Sequence, residues 1–261
     1  MVIKIIEIVQ SVERTLTIVE LLSDYNDGLG ITDISNGVEL HKSTVHRLLG
    51  TLIYKGYVTQ DTDTNKYRLT LKFYEIGNKR VENIGILEAS KPYTKALMQS
   101  INEVVHLVVR DGIDIVYVDK VEANNTIRMA SRIGKRCPMY CTSVGKAMLA
   151  NMSDLEVSKI WAQSEIIKLT DNTIVDFDEL KKALEIIKND GYAEDDEENE
   201  IGVRCIGAPV FNREGGIEGA ISVSGPAVRV TKDKVKEIAE EVKKYAMLIS
   251  NELGYREVKE I

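Results

Sequence analysis

The chain has 261 residues, 44% of them hydrophobic and 29% charged, which is typical of a globular protein and excludes disordered and fibrous classes. Lys and Arg number 34 and Asp and Glu 41, a formal net charge of −7 that, taken for the whole chain, argues against a nucleic-acid partner. No run of about 18 apolar residues occurs, so we expect no membrane-spanning helix, and the length suits one large or two smaller domains.

The negative charge is not evenly distributed. Residues 1–80 contain ten basic and ten acidic side chains, so residues 81–261 carry the whole excess. Residues 40–60 contain Lys42, Arg47 and Lys55 and no acidic residue. The N-terminal part therefore remains a candidate for DNA binding.

Hydrophobic periodicity predicts three helices in this N-terminal part. The first covers about residues 11–24, the second is short with Thr32 as its N-cap, and the third starts after His41 and ends at Gly56. Two short strands, 57–60 and 66–70, flank a turn rich in Asp and Asn. Three helices followed by a β-hairpin indicate a winged helix-turn-helix domain over residues 1–70.

The third helix has an apolar face and an opposite face of hydroxyl and basic side chains. Such side chains contact phosphates and base edges in DNA-binding domains, although a solvated face on a small helical domain is the alternative. The predicted DNA-binding residues are Thr32, Lys42, Ser43, Thr44, His46 and Arg47 on the helices and Lys66, Tyr67 and Arg68 on the hairpin.

The rest of the chain predicts a linker helix over residues 71–84 and a second domain over 85–261. Strands are expected at 103–110, 113–119, 126–132, 202–211 and 217–225, and helices at 85–103, 143–151, 153–162, 176–189 and 231–253. An antiparallel sheet with flanking helices makes this an α+β domain.

One strand of the second domain suggests a binding site. Along residues 217–225, Ser222 and Ser224 lie on the same face, about 7 Å apart. This face is either exposed and polar, or it forms a small anion site together with a nearby thiol and the helix that starts at Ser143.

Other chemistry has weaker support. The three cysteines show no pairing pattern, which indicates free thiols in a reducing cytoplasm. The acidic run 194–200 is predicted to be a solvated loop. Neither the cysteines nor this run matches a metal-binding motif. A hydrolase-like enzyme with Cys205 as nucleophile is the alternative function, but His106, the one histidine of this domain, lies in an apolar strand. We expect no catalytic residue, metal or cofactor.

The sequence resembles the IclR family of bacterial transcriptional regulators over nearly its full length. The resemblance is carried by residues 10–23, 42–58, 104–122, 127–149, 191–211 and 219–231, which include KSTVHRLLGTLIYKGYV, GYAEDDEENEIGVRCIGAPVF and GAISVSGPAVRVT. It implies a winged helix-turn-helix, a linker helix and a C-terminal effector domain of GAF-like fold. It further implies a homodimer or homotetramer on double-stranded operator DNA.

The resemblance also implies a pocket for a small carboxylate effector. Its residues here are Met139, Ser143, Val144, Gly145, Asp195, Cys205, Ser222 and Ser224. Where members often have proline before Lys-Ser-Thr, this chain has His41, which is expected to alter the start of the third helix. The implied function is a regulator, and more specifically a repressor, whose DNA binding is controlled by the effector.

Overall fold

The computed structural model describes residues 8–82, 85–126 and 130–256. The chain divides into two compact units, with the division between residues 81 and 82. Within the described residues, no helix is long and apolar enough to cross a membrane.

The first unit is a winged helix-turn-helix. It contains α1 (Gln10–Ser23), α2 (Ile31–Gly37), α3 (Lys42–Tyr54), the antiparallel hairpin of β1 (Val58–Gln60) and β2 (Tyr67–Leu69), and α4 (Lys72–Glu82). Apolar side chains at helical spacing form its core, which is made by Ile18, Leu22, Ile34, Val45, Leu49, Leu52, Val58 and Tyr67.

The ends of these helices test the predicted stop and start signals. Gly56 has a φ of 77°, a left-handed conformation that favours glycine, and it follows the end of α3 as predicted. The prediction of Thr32 as an N-cap is wrong. Gly30 is the N-cap of α2 and Thr32 lies within its first turn, because the extended backbone that precedes the helix ends two residues earlier.

The second unit is an α+β domain built on one six-stranded antiparallel sheet. Its elements are α5 (Gly85–Ile101), β3 (Val104–Asp111), β4 (Asp114–Val121), β5 (Arg136–Pro138), α6 (Ser143–Leu149), α7 (Asp154–Gln163), α8 (Phe177–Asp190), β6 (Ala193–Asp196), β7 (Val203–Phe211), β8 (Ile217–Pro226), a 3-10 turn (Lys232–Lys234) and α9 (Val235–Glu252). The strand order is β5-β4-β3-β8-β7-β6.

Strand alternation divides the domain into two apolar cores. On β3, Val105 and Leu107 pack into the core that contains residues of α5 and α9, whereas Val108 packs into the core that contains residues of α6, α7 and α8. Residues with even numbers on β3, His106 among them, therefore face the α6 side of the sheet.

Two strand predictions differ from the structure. The strand expected at 126–132 is absent at Thr126 and at 130–132, while 127–129 lie outside the described residues; the strand that pairs with β4 is instead Arg136–Pro138. The acidic run begins in a strand rather than in a solvated loop, since β6 pairs with β7 and both Asp195 and Glu198 are buried. Both β5 and β6 are short edge strands. They are extended because they pair with β4 and β7, and their own sequence pattern does not predict them.

Candidate functional sites

Helix α3 presents a basic and hydroxyl-bearing surface. Lys42, Ser43, His46 and Arg47 are exposed and Thr44 is half-buried, while the opposite face of the helix is held in the core. Thr32 on α2 is also exposed. These predicted DNA-binding residues are thus available to a partner.

The turn between α2 and α3 is fixed by local hydrogen bonds. The Ser35 hydroxyl donates to the Leu40 carbonyl at 2.5 Å, and the Leu40 amide donates to the Ser35 carbonyl at 3.1 Å. His41, the N-cap of α3, has φ −62° and ψ 140°. Because this φ is the value that proline imposes, histidine gives the helix the same start, and the expected alteration is not seen.

The hairpin exposes two of the three side chains predicted to contact DNA. Lys66 and Arg68 are exposed, but Tyr67 is buried in the core of the first unit and pairs with Leu29 through its backbone. Tyr67 as a DNA-contacting side chain is therefore a wrong prediction, because alternate residues of a strand face opposite sides.

The second unit contains a polar cavity beside the start of α6. Its accessible volume is about 50 Å³. The residues that line it are His106, Tyr117, Ala130, Ser131, Lys135, Thr142, Ser143, Val144, Asp195, Asn199, Glu200, Val203, Cys205, Ser222 and Ser224. Six of the eight predicted effector residues are among them.

The floor of this cavity is made by two rows of residues that run across the sheet. Asp195, Cys205 and Ser224 are register partners on β6, β7 and β8. The second row consists of Gly207, Ser222 and His106 on β7, β8 and β3. Ser222 and Ser224 are 2% and 3% exposed, so the alternative of an exposed polar strand face is wrong.

Two glycines allow α6 to approach the sheet. A Cβ on Gly207 would lie 2.9 Å from the amide nitrogen of Val144, and a Cβ on Gly145 would lie 2.3 Å from the Met139 carbonyl oxygen. Close backbone packing of this kind leaves no room for a side chain at either position. It places the start of α6 directly over β7.

The same packing removes two predicted residues from the cavity lining. Helix α6 starts at Ser143 as predicted, Thr142 is its N-cap, and the Thr142 hydroxyl accepts a hydrogen bond from the Gly145 amide at 3.2 Å. That amide is therefore not available to a ligand. Met139 is fully buried in the apolar core and does not line the cavity.

His106 belongs to the cavity although the sequence did not indicate it. The ring is buried and packs edge-on against Tyr117, with 4.9 Å between ring centroids. Its Nε2 lies 2.7 Å from the Ser131 hydroxyl and its Nδ1 lies 3.3 Å from the Ser224 hydroxyl. Burial and the charge of Lys120 lower its pKa to about 3, so the ring is neutral. The available signal was a single polar residue within an otherwise apolar stretch of β3.

Asp195 is the buried carboxyl group of the cavity. Burial raises its pKa to about 7, against the opposing effect of hydrogen bonds donated by the amides of Glu198 (2.8 Å) and Asn199 (3.2 Å). Behind it, the ammonium of Lys146 forms a buried ion pair with Glu198. This pair links α6 to the acidic segment, and one Glu198 oxygen, Oε2, has no hydrogen-bond partner among the described residues.

The geometry does not support a nucleophilic Cys205. Burial raises the pKa of its thiol, and the nearby Asp195 carboxylate raises it further, so the reactive thiolate is disfavoured. Among the described residues, no cluster of three or more His, Cys, Asp or Glu side chains is placed to hold a metal ion.

A helix-turn-helix unit whose third helix exposes basic and hydroxyl side chains, followed by an α+β unit with a polar cavity, is the arrangement of a DNA-binding transcriptional regulator. Comparisons with known proteins agree. Residues 11–62 match the IclR helix-turn-helix domain, and residues 78–251 match the bacterial transcriptional regulator IclR C-terminal domain. The chain belongs to the IclR family of transcriptional regulators, whose members among its relatives are DNA-binding regulators rather than enzymes.

Individual relatives cover nearly the whole chain. It is 36% identical over 249 residues to the HTH-type transcriptional regulator KdgR of Dickeya chrysanthemi, across 95% of this chain and 81% of that protein. It is also 36% identical over 248 residues to the HTH-type transcriptional regulator XynR of Escherichia coli strain K12, across 95% and 98%. The crystal structure of Thermotoga maritima IclR superposes with a TM-score of 0.83 at 31% identity, covering 94% of this chain and 99% of that one.

Proposed function

We propose that this regulator is a repressor whose operator binding is relieved by a small carboxylate bound in the cavity of the second unit. The observation that carries the proposal is that Ser143, Val144, Asp195, Cys205, Ser222 and Ser224 line one buried polar cavity. The effector class is supported by the hydroxyl groups of β8 and the start of α6, which suit the oxygens of a small organic acid.

The resemblance of residues 67–77 and 249–255 to the ketodeoxygluconate regulon repressor makes 2-keto-3-deoxygluconate the leading candidate effector. A homodimer or homotetramer would present two α3 helices to half-sites on operator DNA in the cytoplasm. The effector would bind one arrangement of the effector units better than another and so shift the DNA-competent population.

The test of this proposal starts with a thermal-shift screen of full-length protein against 2-keto-3-deoxygluconate, pyruvate and related keto and sugar acids. Operator DNA is selected from a random duplex pool and its affinity is then measured with each compound that binds. We expect a compound that stabilises the protein also to weaken operator binding. If none of the acids binds, the proposed effector class is wrong.

A double variant, Ser222→Ala with Ser224→Ala, tests the position of the effector site. We expect it to lose the ligand response and to keep operator affinity, since both hydroxyls lie in the second unit. Ser158→Ala, an exposed serine on α7 outside the cavity, serves as control and should behave as the wild type. Retained induction in the double variant would place the effector elsewhere.

A further inference from the structure

We infer that His106 is a second ligand-recognition point, and that a hydroxyl at the far end of a hydroxylated acid of about five or six carbons displaces the Ser131 side chain from it. This inference rests on the effector role proposed above and names the ligand class that the cavity selects. The carboxylate end would lie at the start of α6 and the hydroxylated end at His106.

The length of the cavity floor is the first observation. Gly207 brings the start of α6 over β7, whereas His106 lies on β3, with β8 between them. Two strand spacings separate the backbones of β7 and β3, about 10 Å. A short acid on Ser224 therefore lies beside His106 Nδ1, but a ligand that contacts both the start of α6 and His106 Nε2 must cross β8, which favours a chain of five or six carbons over one of three.

The chemistry of the His106 end is the second observation. The ring is buried and neutral, so it offers one N–H donor and one bare nitrogen acceptor and no positive charge. Such a group suits a hydroxyl, which both donates and accepts, better than a second carboxylate. Ser222, Ser224 and Ser131 surround the same end with further hydroxyl groups.

Ser131 occupies the position that the ligand hydroxyl would take. Its hydroxyl lies 2.7 Å from His106 Nε2, and its carbonyl accepts a hydrogen bond from the Lys120 ammonium at 2.9 Å. Ala130, Ser131 and Lys135, which precede β5, line the same cavity. When a ligand hydroxyl replaces the Ser131 hydroxyl at Nε2, His106 keeps a hydrogen-bond partner. Ser131 then loses its contact with His106, and residues 130–135 are free to move. Ligand binding at this end is thereby coupled to the position of the segment before β5.

The first test uses full-length protein with ¹⁵N-labelled histidine. Its three histidines are His41 and His46 in the first unit and His106 in the second, and His106→Gln assigns the third signal. Saturating 2-keto-3-deoxygluconate should shift the Nε2 signal of His106, where it replaces Ser131, whereas saturating pyruvate should leave that signal in place. Unmoved His106 signals with bound 2-keto-3-deoxygluconate would overturn the inference.

The second test measures affinity by calorimetry. Ser131→Ala removes the competing hydroxyl and should tighten 2-keto-3-deoxygluconate binding by about three- to tenfold, while His106→Gln should weaken it by roughly tenfold. Cooperative thermal unfolding shows that both variants fold, and Ser158→Ala is the control for the serine change. Weaker or unchanged 2-keto-3-deoxygluconate binding in Ser131→Ala would contradict the displacement of Ser131.

The two proposals fail differently. If pyruvate binds and weakens operator affinity but hydroxylated acids of five or six carbons do not bind, the regulatory pocket stands and the role of His106 is refuted. If no acid of either length binds, the effector class itself is refuted and the inference falls with it.

Discussion

Arg47 is the residue at which DNA reading can be tested most directly. It is exposed on α3, one turn from Ser43, on the helix that a winged helix-turn-helix domain places in the major groove. An arginine that contacts a base edge contributes about 1–3 kcal/mol. We therefore expect Arg47→Ala to weaken operator binding by about ten- to a hundredfold in an electrophoretic mobility assay and to leave effector affinity unchanged. Unchanged operator affinity would exclude Arg47 as a reading residue.

We expect the carboxyl group of Asp195 to make effector binding dependent on pH. Its pKa of about 7, raised by burial, means that the carboxyl group is protonated below this pH and negative above it. The negative form of Asp195 repels a carboxylate ligand and the neutral form does not. The affinity for such a ligand should therefore be highest at pH 6 and fall as the pH rises through 7. Between pH 6 and pH 8 we expect a loss of about tenfold, measured by calorimetry with pyruvate.

The control for this dependence is Asp195→Asn, which cannot ionise and should bind pyruvate with nearly the same affinity at both pH values. His106 does not contribute, because its pKa of about 3 keeps it neutral throughout. An equal pH dependence in the asparagine variant would assign the titration to another group.

At the scale of elements, the contact between α6 and β7 positions the cavity. Gly207→Ala would place a methyl group 2.9 Å from the Val144 amide nitrogen and 3.0 Å from the Ser143 carbonyl carbon. Overpacking of this kind costs about 1–3 kcal/mol and would push the start of α6 away from the sheet. We expect a lower free energy of unfolding in urea denaturation, together with weaker effector binding.

Gly85→Ala is the matched control for that change. Gly85 begins α5, and a Cβ there would meet no atom within 4 Å in the part of the chain that the structure describes. The control should be as stable as the wild type or more stable, because alanine favours helices. Wild-type stability and affinity in Gly207→Ala would show that α6 does not need this close approach.

Most elements followed from the sequence because their signals are local. Helices α7 and α8 lie where the sequence predicts them, and their ends carry local signals: a Ser153–Glu156 capping box at the start of α7 and Gly191, with a φ of 76°, after α8. The strands β5 and β6 did not follow, since three or four residues are too few for an alternation and only pairing with β4 and β7 defines them. The expected solvated loop at Asp195 was wrong for the same reason.

At the scale of the whole molecule, the net charge of −7 does not oppose DNA binding. The excess lies in residues 81–261, and the first unit carries the exposed cations Lys42, Arg47, Lys66 and Arg68. Operator affinity should therefore fall linearly with salt on a double-logarithmic plot, with a slope of about −0.9 for each phosphate contacted. Arg68→Ala should reduce this slope by about one in a fluorescence anisotropy titration. An affinity independent of salt would argue against contact with the phosphate backbone.

The sequence by itself determined the winged helix-turn-helix, the α+β class of the second domain and the side chains on the exposed face of α3, because periodicity, turn chemistry and charge are local properties. Tertiary structure alone decided which side chains share the cavity. It brought in His106 from β3 and Ser131 from the segment before β5, buried Tyr67 and Met139, and engaged the Gly145 amide with the Thr142 hydroxyl. The physical reason is that strand register and the close approach of α6 join residues up to 118 positions apart, such as His106 and Ser224, and no local pattern encodes that pairing.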